Sequence, residues 1–244
     1  MNRLLDIKQN FQRSLNTYDR DAFVQSHIAE TLASYITHHA SPPNRLLEIG
    51  CGTGFLTRSL QKWSHLSHYF LNDLNEDARS LFGDSYHFVS GNAEDCVLPN
   101  KLDAIVSAST FQWFHRLPCF FNRAFTLLNS DGILAFSTFG TDHFHELRHL
   151  TGNGLSYFPK DELASFLDES GFSLLFSGEE TTTIYFEKPL DVLRHLRATG
   201  VNGGFQSCWS IKRYHTFTSQ YEEFFATEQG IPLTFHPIYM IAKK

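Results

Sequence analysis

The sequence has no long hydrophobic run, no paired cysteine motif and no excess of cations, and each absence excludes a class of protein. No run of about 18 apolar residues occurs, and residues 1–6 contain no apolar signal core. The cysteines lie far apart, at Cys51, Cys96, Cys119 and Cys208, without a C-x-x-C pair. That spacing argues against a zinc site or a disulfide framework. We therefore expect a cytoplasmic protein without a membrane anchor or a bound metal.

Charge and composition narrow the interpretation further. The net charge is −6 at pH 7, which argues against a nucleic-acid-binding surface across the whole chain. The 244 residues are 42% hydrophobic, which is enough for the core of one sizeable α/β domain. Phenylalanine is abundant, with 24 residues, and such rings can fill a core or line a pocket that excludes water.

A glycine-rich turn between a predicted strand and a predicted helix organises the chain. Two leucines run into Glu48, and a helical pattern follows at residues 55–60. Between them, three glycines alternate with other residues, namely Gly50, Gly52 and Gly54. Glycine allows a sharp turn and a close ligand, and a helix N-terminus directs backbone N–H groups towards it. The turn therefore predicts a binding site for something small and polar.

The spacing of the glycines and the next strand indicate which ligand this is. In the dinucleotide fingerprint the third glycine comes one position later, which disfavours a nicotinamide enzyme. Residues 68–74 predict a second strand with Asp73 at its carboxyl end, where a carboxylate can accept both ribose hydroxyls. This pattern, E-x-G-x-G-x-G followed by an acidic residue, resembles motif I of the class I S-adenosylmethionine-dependent methyltransferases. The resemblance implies S-adenosylmethionine as cofactor, S-adenosylhomocysteine as product and no metal.

Further predicted strands extend this unit into an α/β fold. They cover residues 86–89, 103–109 and 133–140, and a last strand is predicted at residues 233–242. The resemblance implies a Rossmann-like, mostly parallel seven-stranded sheet of order 3-2-1-4-5-7-6, with helices on both faces. Its last strand is expected to run antiparallel.

The chain is predicted to form a single methyltransferase domain over residues 1–244. Helices in residues 1–42 would either pack against this domain or form a lid over the ligand. Residues 43–140 would form the cofactor-binding core. Helical insertions at residues 141–158 and 187–230 would face the substrate or a partner.

Helical patterns continue through the second half of the chain. One helix is expected to open at Asn75, and others are predicted at residues 116–128, 159–171, 189–200 and 219–227. His143, His145 and His149 have a spacing that suggests a metal site. They lack a carboxylate or cysteine partner in a recognisable motif, so we interpret them as a solvated helix face.

The class resemblance also implies which residues contact the cofactor. Asn92 stands where an aspartate is commoner in this class, and its side-chain carbonyl can accept a hydrogen bond from the adenine amino group. The implied cofactor-binding residues are Tyr18, Gln25, Glu48, Gly50, Cys51, Gly52, Gly54, Asp73, Leu74, Asn92, Ala93, Glu94, Ala108 and Ser109.

Several short segments narrow the family. They are residues 11–14 with Tyr18, then Gln25, residues 111–113, 136–139 and 193–201, and the tail at 232–236. Together they resemble the malonyl-acyl-carrier-protein O-methyltransferases of biotin synthesis over nearly the whole chain. The resemblance implies methylation of the free carboxylate of a malonyl thioester on acyl carrier protein, which gives a methyl ester that fatty-acid enzymes can elongate.

The chemistry of this reaction selects candidate substrate residues. A malonyl carboxylate is ionised at neutral pH, so the transfer needs in-line placement of an oxygen and no general base. We predict Tyr18 and Arg197 as catalytic, with Arg148 as the second choice for the cation that orients the carboxylate. An aromatic loop that leaves the fourth strand would form the wall of the site. The candidate substrate residues are Phe111, Gln112, Trp113, Phe139, Arg148 and Arg197.

An acidic carrier protein needs a local positive face on this acidic chain. The available cations are Arg194, Arg197, Lys212 and Arg213, which we predict to form the docking surface. Two alternatives remain open. The chain could methylate a small free carboxylic acid or a quinone-like substrate, or it could be a cofactor-binding regulatory module without turnover.

Overall fold

The computed structural model describes residues 3–61, 63, 68–201 and 210–244. Its strands, in chain order, are β1 (Arg45–Ile49), β2 (His68–Asp73), β3 (Tyr86–Ser90), β4 (Leu102–Ala108), β5 (Leu128–Phe139), β6 (Ser173–Glu179), β7 (Thr182–Phe186), β8 (Ile231–Phe235) and β9 (Pro237–Lys243). A seven-stranded sheet has the order β3-β2-β1-β4-β5-β9-β6, with β9 antiparallel to both of its neighbours. The predicted fold class and strand order are therefore confirmed.

Eight α-helices and two short 3₁₀ helices occur within the described residues. The α-helices are α1 (Arg3–Asp21), α2 (Phe23–His39), α3 (Phe55–Leu60), α4 (Leu117–Leu127), α5 (His145–Thr151), α6 (Lys160–Glu169), α7 (Pro189–Ala198) and α8 (Ile211–Phe225). The 3₁₀ helices are Glu76–Leu81 and Phe111–Trp113. In this described part of the chain, none of the helices combines the length and the apolar character that a bilayer crossing requires.

Two helix predictions were wrong in detail. The helix expected after Asn75 is only a short 3₁₀ helix, whose first turn is capped by the Asn75 side chain at 3.2 Å from the Asp77 N–H. The last helix begins at Ile211, well before the predicted residue 219, because Ser210 caps it by accepting from the Arg213 N–H at 3.2 Å. Local capping determined both starts.

The chain divides into two compact units. The sheet unit contains Phe23–Phe139, Phe158–Glu179 and Pro237–Lys244, and so holds the whole seven-stranded sheet. The second unit contains Met1–Ala22, Gly140–Tyr157 and Glu180–His236. The predicted roles of residues 1–42 as a lid and of residues 141–158 and 187–230 as insertions stay predictions, as does the single domain.

The core of the sheet unit contains a group of packed phenylalanine rings among its aliphatic side chains. The Phe111 ring lies 4.9 Å from the ring of Phe136 and 5.3 Å from that of Phe120, measured between centroids. All three side chains are at most 2% exposed. Such tilted and edge-on aromatic pairs add to the free energy gained by burying apolar area. Much of the phenylalanine content therefore serves packing.

The single last strand predicted at residues 233–242 is in fact two strands. β8 pairs with β7 in a separate two-stranded sheet, whereas β9 joins the main sheet. His236 lies between them, with its carbonyl accepting from the Gly140 N–H at 2.8 Å. Pro237 has no N–H to donate to a ladder, so the chain can change partners at this point.

Candidate active site

The glycine-rich turn between β1 and α3 is packed on one side and open on the other. Gly50 and Gly52 both have positive φ, at +68° and +52°. A Cβ on Gly50 would lie 2.2 Å from the Thr110 Oγ1, whereas a Cβ on Gly52 would meet nothing within 4 Å. The Gly50 and Cys51 N–H groups both donate to the Asn72 carbonyl, at 2.8 and 3.0 Å. The turn is thus held firmly while Gly52 faces free space.

Replacing Gly50 by alanine is expected to destabilise the fold strongly. The new Cβ would overlap the Thr110 side chain and would occupy a left-handed backbone conformation. We expect a loss of at least about 2 kcal/mol in the free energy of unfolding, measured by urea denaturation. Gly83→Ala is the control because its Cβ would meet nothing within 4 Å. Equal stability of the two variants would contradict the tight packing of Gly50.

Asp73, at the carboxyl end of β2, lies next to the glycine-rich turn and is hydrogen-bonded to it. Its Oδ2 accepts from the Gly52 N–H at 2.9 Å and its Oδ1 accepts from the Asn75 N–H at 2.8 Å. Burial raises the pKa of this carboxyl group, against the effect of these backbone donors. Each carboxylate oxygen has room to accept another hydrogen bond. The group is therefore fixed in place by the turn and can still bind a diol.

Several buried polar atoms near this turn have no hydrogen-bond partner in the described part of the chain. Three of them follow the carboxyl ends of β1, β2 and β4, namely Thr53 Oγ1, Asn75 Nδ2 and Ser109 Oγ. A fourth is Oε1 of Gln25 on α2, a helix that packs against α3. Buried polar groups are normally satisfied, so this set fits a polar ligand such as S-adenosylmethionine at that edge of the sheet.

The loop after β3 contains the other predicted adenine contacts. The Asn92 side-chain carbonyl accepts from the Glu94 N–H at 3.1 Å, which leaves it one further lone pair. Ala93 is buried. The Glu94 carboxylate accepts from the His115 and Arg116 N–H groups instead of pointing freely at a ligand. Leu74 and Ala108 are half-buried at the ends of β2 and β4. Direct contact of these residues with a cofactor stays a prediction.

Glu48, the acidic residue of the motif, is enclosed below the turn. Its Oε2 accepts from the Tyr69 hydroxyl at 2.6 Å and from the Thr57 hydroxyl at 2.8 Å. The side chain thereby connects β1, β2 and α3. Burial raises the pKa of this carboxyl group to about 7, despite the two hydroxyl donors, and the charge of Asp73 adds to the rise. Cys51, also buried, has a thiol pKa raised by burial.

This raised pKa predicts a pH-dependent stability. Between about pH 4.5 and about pH 7 the folded chain binds more protons at Glu48 than the unfolded chain, so stability falls as pH rises through that window. Glu48→Gln removes this contribution while keeping the shape. We compare the free energy of unfolding of the two proteins at pH 5 and at pH 7.5, measured by urea denaturation. The difference, variant minus wild type, should rise by about 2 kcal/mol from the lower to the higher pH. The pKa of Asp73 is also raised, but Asp73 is present in both proteins, so its contribution to the pH dependence cancels in the comparison. If the free energies of unfolding of the two proteins depend on pH in the same way, the raised pKa of Glu48 is contradicted.

The aromatic loop after β4 differs from its prediction at one residue. Phe111 is 1% exposed within the core, so its predicted place in the wall of the substrate site is not supported. Gln112 is fastened by its Nε2, which donates to the Ser109 carbonyl at 2.6 Å. Trp113 and Phe139 are 8% and 4% exposed. The substrate contacts of Gln112, Trp113 and Phe139 stay predictions.

The two candidate arginines for the substrate carboxylate have different environments in the second unit. Arg148 on α5 is half-buried, donates through Nη2 to the Thr141 carbonyl and lies over the Tyr157 ring at 5.6 Å. Its Nε is buried without a hydrogen-bond partner among the described residues. Arg197 on α7 is exposed. Tyr18 on α1 is half-buried, with its ring 6.2 Å from that of Phe11.

The second unit also contains buried titratable residues that sequence reasoning missed. Glu146 is 1% exposed and accepts from the Thr234 hydroxyl at 2.6 Å. His143 is 2% exposed and stacks on Phe144, so its assignment to a solvated helix face was wrong. Burial and the nearby positive charge of Arg148 lower the pKa of His143 well below its usual value, which keeps it neutral. The sequence gives no burial signal here because His143 precedes α5, and α5 itself has only seven residues.

The other histidines of that set and the cationic residues lie on the surface of the second unit. His145 and His149 are exposed. No group of three metal-ligating side chains occurs in the residues that the structure describes. Arg194 is 70% exposed and pairs with Asp191 at 2.8 Å, and Lys212 and Arg213 are exposed on α8, which packs against α7. Their role in docking stays a prediction.

Comparisons with known proteins indicate what the chain is similar to. A family model described as "Methyltransferase domain" matches residues 18–176. A malonyl-[acyl-carrier protein] O-methyltransferase of Bacteroides thetaiotaomicron is 38% identical over 260 residues, covering 100% of this chain and 99% of that protein. One of the same name from Bacteroides fragilis is 37% identical over 98% of this chain, which spans about half of that protein (50%).

The fold also matches solved structures. The Burkholderia thailandensis 1,6-didemethyltoxoflavin-N1-methyltransferase, solved with 1,6-didemethyltoxoflavin and S-adenosylhomocysteine, superposes with a TM-score of 0.60. The match covers 98% of this chain and 88% of that chain at 16% sequence identity. Because the identity is low, this likeness bears on the fold alone.

Proposed function

The chain belongs to the malonyl-[acyl-carrier protein] O-methyltransferase family, and from this membership we propose its reaction. It transfers a methyl group from S-adenosylmethionine to the free carboxylate of a malonyl thioester on acyl carrier protein. The methyl ester hides a charge and can then serve as a primer for biotin synthesis. The observation that carries the proposal is the open glycine turn beside a fixed Asp73 carboxylate.

The cofactor is held at the carboxyl edge of the sheet unit. Asp73 accepts the ribose hydroxyls, Asn92 accepts from the adenine amino group, and the open side of Gly52 admits the cofactor to the backbone. The unsatisfied Gln25 and Ser109 oxygens supply further acceptors. When bound, S-adenosylmethionine supplies an electrophilic methyl group on a positively charged sulfur.

Arg148 is the better candidate for the residue that orients the substrate carboxylate. Its guanidinium has a buried Nε without a partner, and a partly buried cation attracts a carboxylate more strongly than an exposed one. The Tyr157 ring under the guanidinium holds it flat, which suits a bidentate contact. Arg197 was our first choice from sequence, but its exposure favours a role at the surface.

Binding and orientation are sufficient for this transfer. The malonyl carboxylate is already ionised at neutral pH, so no side chain has to remove a proton. The chain contributes by bringing an oxygen in line with the methyl group, which is worth several kcal/mol of the barrier. Phe139, at the carboxyl end of β5, is proposed to exclude water from the reacting groups. A site poor in water disfavours the charged reactants more than a transition state in which charge is being lost.

The proposed carrier-docking surface consists of Arg194, Arg197, Lys212 and Arg213. α7 and α8 pack against each other, so cations on both helices can serve one acidic partner. Charge reversal at Arg194 and Lys212 should lower kcat/KM for malonyl-carrier protein about tenfold, and less at high salt. A small free malonyl thioester is the control substrate. Unchanged kcat/KM on both substrates would favour the alternative of a small free carboxylic acid substrate, which needs no docking surface, whereas an equal loss on both would indicate a structural defect.

One experiment tests the function directly. Malonyl-acyl carrier protein is incubated with the chain and S-adenosylmethionine, and intact-protein mass spectrometry follows the carrier. We expect one added methyl group, which disappears when acetyl-carrier protein replaces the malonyl form because that acyl group has no free carboxylate. Calorimetric binding of S-adenosylmethionine without methyl transfer would instead support a regulatory module.

A further inference from the structure

The loop after β3 is held by the guanidinium of Arg123 on α4. Arg123 Nη1 donates to the Ala93 carbonyl at 2.8 Å, and Nη2 donates to the Cys96 carbonyl. Arg123 is half-buried, and the two carbonyls belong to one tight turn. A planar guanidinium that binds two carbonyls of a turn fixes both the position and the orientation of that turn. Sequence reasoning did not single out this residue.

The same loop is attached a second time to the segment that leads into α4. Glu94 accepts from the Arg116 N–H at 2.6 Å and from the His115 N–H at 3.1 Å. The Arg116 guanidinium in turn pairs with Asp95. This segment directly follows Gln112 and Trp113, so the loop and the predicted wall of the substrate site share one support.

Hydrogen bonds inside the loop transmit this support to Asn92. The Asn92 backbone carbonyl accepts from the Asp95 and Cys96 N–H groups, at 3.0 and 2.8 Å. Its side-chain Oδ1 accepts from the Glu94 N–H, and its Nδ2 donates to the Asp95 carboxylate at 2.9 Å. The amide of Asn92 is therefore oriented by the loop, and the loop is oriented by α4.

We propose that Arg123, supported by Glu94, is a positioning residue that sets the base selectivity of the cofactor site. It fixes the turn so that the Asn92 side-chain carbonyl is aimed at the amino group of an adenine. This inference rests on the proposed function, because it assumes an adenosyl cofactor. Without the guanidinium the turn can rotate, so the Asn92 side-chain carbonyl no longer points at the adenine amino group. The ribose contact at Asp73 remains.

The test compares two ligands that differ only at the base. S-adenosylhomocysteine carries an amino group at C6 of the base, whereas S-inosylhomocysteine carries a carbonyl oxygen there, which cannot donate to the Asn92 carbonyl, and its N1 bears a hydrogen in place of a lone pair. The unchanged chain should bind the adenosyl ligand about tenfold more tightly, the value of one hydrogen bond with an unsatisfied partner. In Arg123→Gln this ratio should fall to about threefold or less, while Arg123→Lys retains part of it.

A matched control exists in the same unit. Arg45 also donates to two loop carbonyls, from Nε to Lys101 at 3.2 Å and from Nη2 to Asn100 at 3.3 Å. It lies at the amino end of β1, away from the carboxyl edge. Arg45→Gln should lower stability to a similar degree and leave the binding ratio unchanged. Glu94→Gln is a second test variant, which should narrow the ratio even if Arg123→Gln does not fold.

Each outcome decides the proposal. A binding ratio that narrows in Arg123→Gln, but not in Arg45→Gln, supports the proposal, and Glu94→Gln replaces Arg123→Gln in this comparison only if the latter does not fold. A binding ratio that stays near the wild-type value in a folded Arg123→Gln variant, that narrows equally in Arg45→Gln, or that is already near one in the unchanged chain overturns it. If the unchanged chain binds neither ligand, the proposed function fails and this inference fails with it, so the two failures can be told apart.

Discussion

Asp73→Asn should abolish most of the affinity for S-adenosylmethionine. The carboxylate is held by the Gly52 and Asn75 N–H groups, and it is the acceptor we propose for both ribose hydroxyls. An amide keeps the shape but presents an NH₂ group to one hydroxyl, and it cannot accept from both backbone donors. The variant loses charge-assisted hydrogen bonds both to the ribose hydroxyls and to the N–H groups of the turn. The affinity for S-adenosylmethionine, measured by calorimetry, should therefore fall about a thousandfold.

Asp103→Asn is the matched control for this prediction. The Asp103 carboxylate also accepts from two backbone N–H groups, those of Asn44 and Arg45, both at 3.0 Å. It lies near the amino end of β4, the edge of the sheet opposite to the glycine turn. The control should therefore lose stability and keep its cofactor affinity. If both variants lose affinity equally, the Asp73 effect is only structural and the ribose contact is wrong.

Arg148→Gln should lower kcat/KM for malonyl-carrier protein about a thousandfold, with cofactor affinity nearly unchanged. Removing one partner of a buried charge pair typically costs several kcal/mol, since the remaining carboxylate loses both its bidentate contact and its solvent. The half-buried guanidinium with an unsatisfied Nε fits that partner. Steady-state kinetics give the first quantity, and calorimetry with S-adenosylhomocysteine gives the second.

Arg197→Gln provides the comparison, because both arginines were candidates for the same role. Arg197 is exposed, so a salt-screened docking contact predicts a loss of about tenfold or less. If Arg197→Gln lowers kcat/KM far more than Arg148→Gln does, Arg197 is the residue that orients the substrate carboxylate. Equal and large losses in cofactor affinity would contradict a substrate role for either residue.

Much of the sheet unit could be predicted from local patterns. The glycine turn and Asp73 at the end of the second strand are encoded by short segments whose geometry has few solutions, and the strand order was implied by the family resemblance that these segments carry. Buried parallel strands are apolar runs bounded by turns, and parallel crossovers have one hand. The fold class therefore follows from the sequence, and the position of the ligand site stays a prediction.

Burial and long-range partners could not be read in the same way. Phe111 resembled a pocket residue and lies in the core, while His143 resembled a surface residue and is buried against Phe144. The division of the tail at His236 depends on the Gly140 N–H, which is distant in sequence. Each of these depends on which elements meet, and neither periodicity nor spacing contains that information.

The sequence by itself determined the glycine turn, because alternating glycines admit few backbone geometries, and the resemblance that this turn carries gave the fold class and the family. Only the tertiary structure decided how individual polar groups are held. In the sheet unit Arg123 binds the loop after β3 and Glu48 accepts from Tyr69, and in the second unit Arg148 rather than Arg197 is the partly buried cation. The reason is physical: the affinity of a charge for its partner depends on the surrounding solvent and donors, which exist only once the chain has folded.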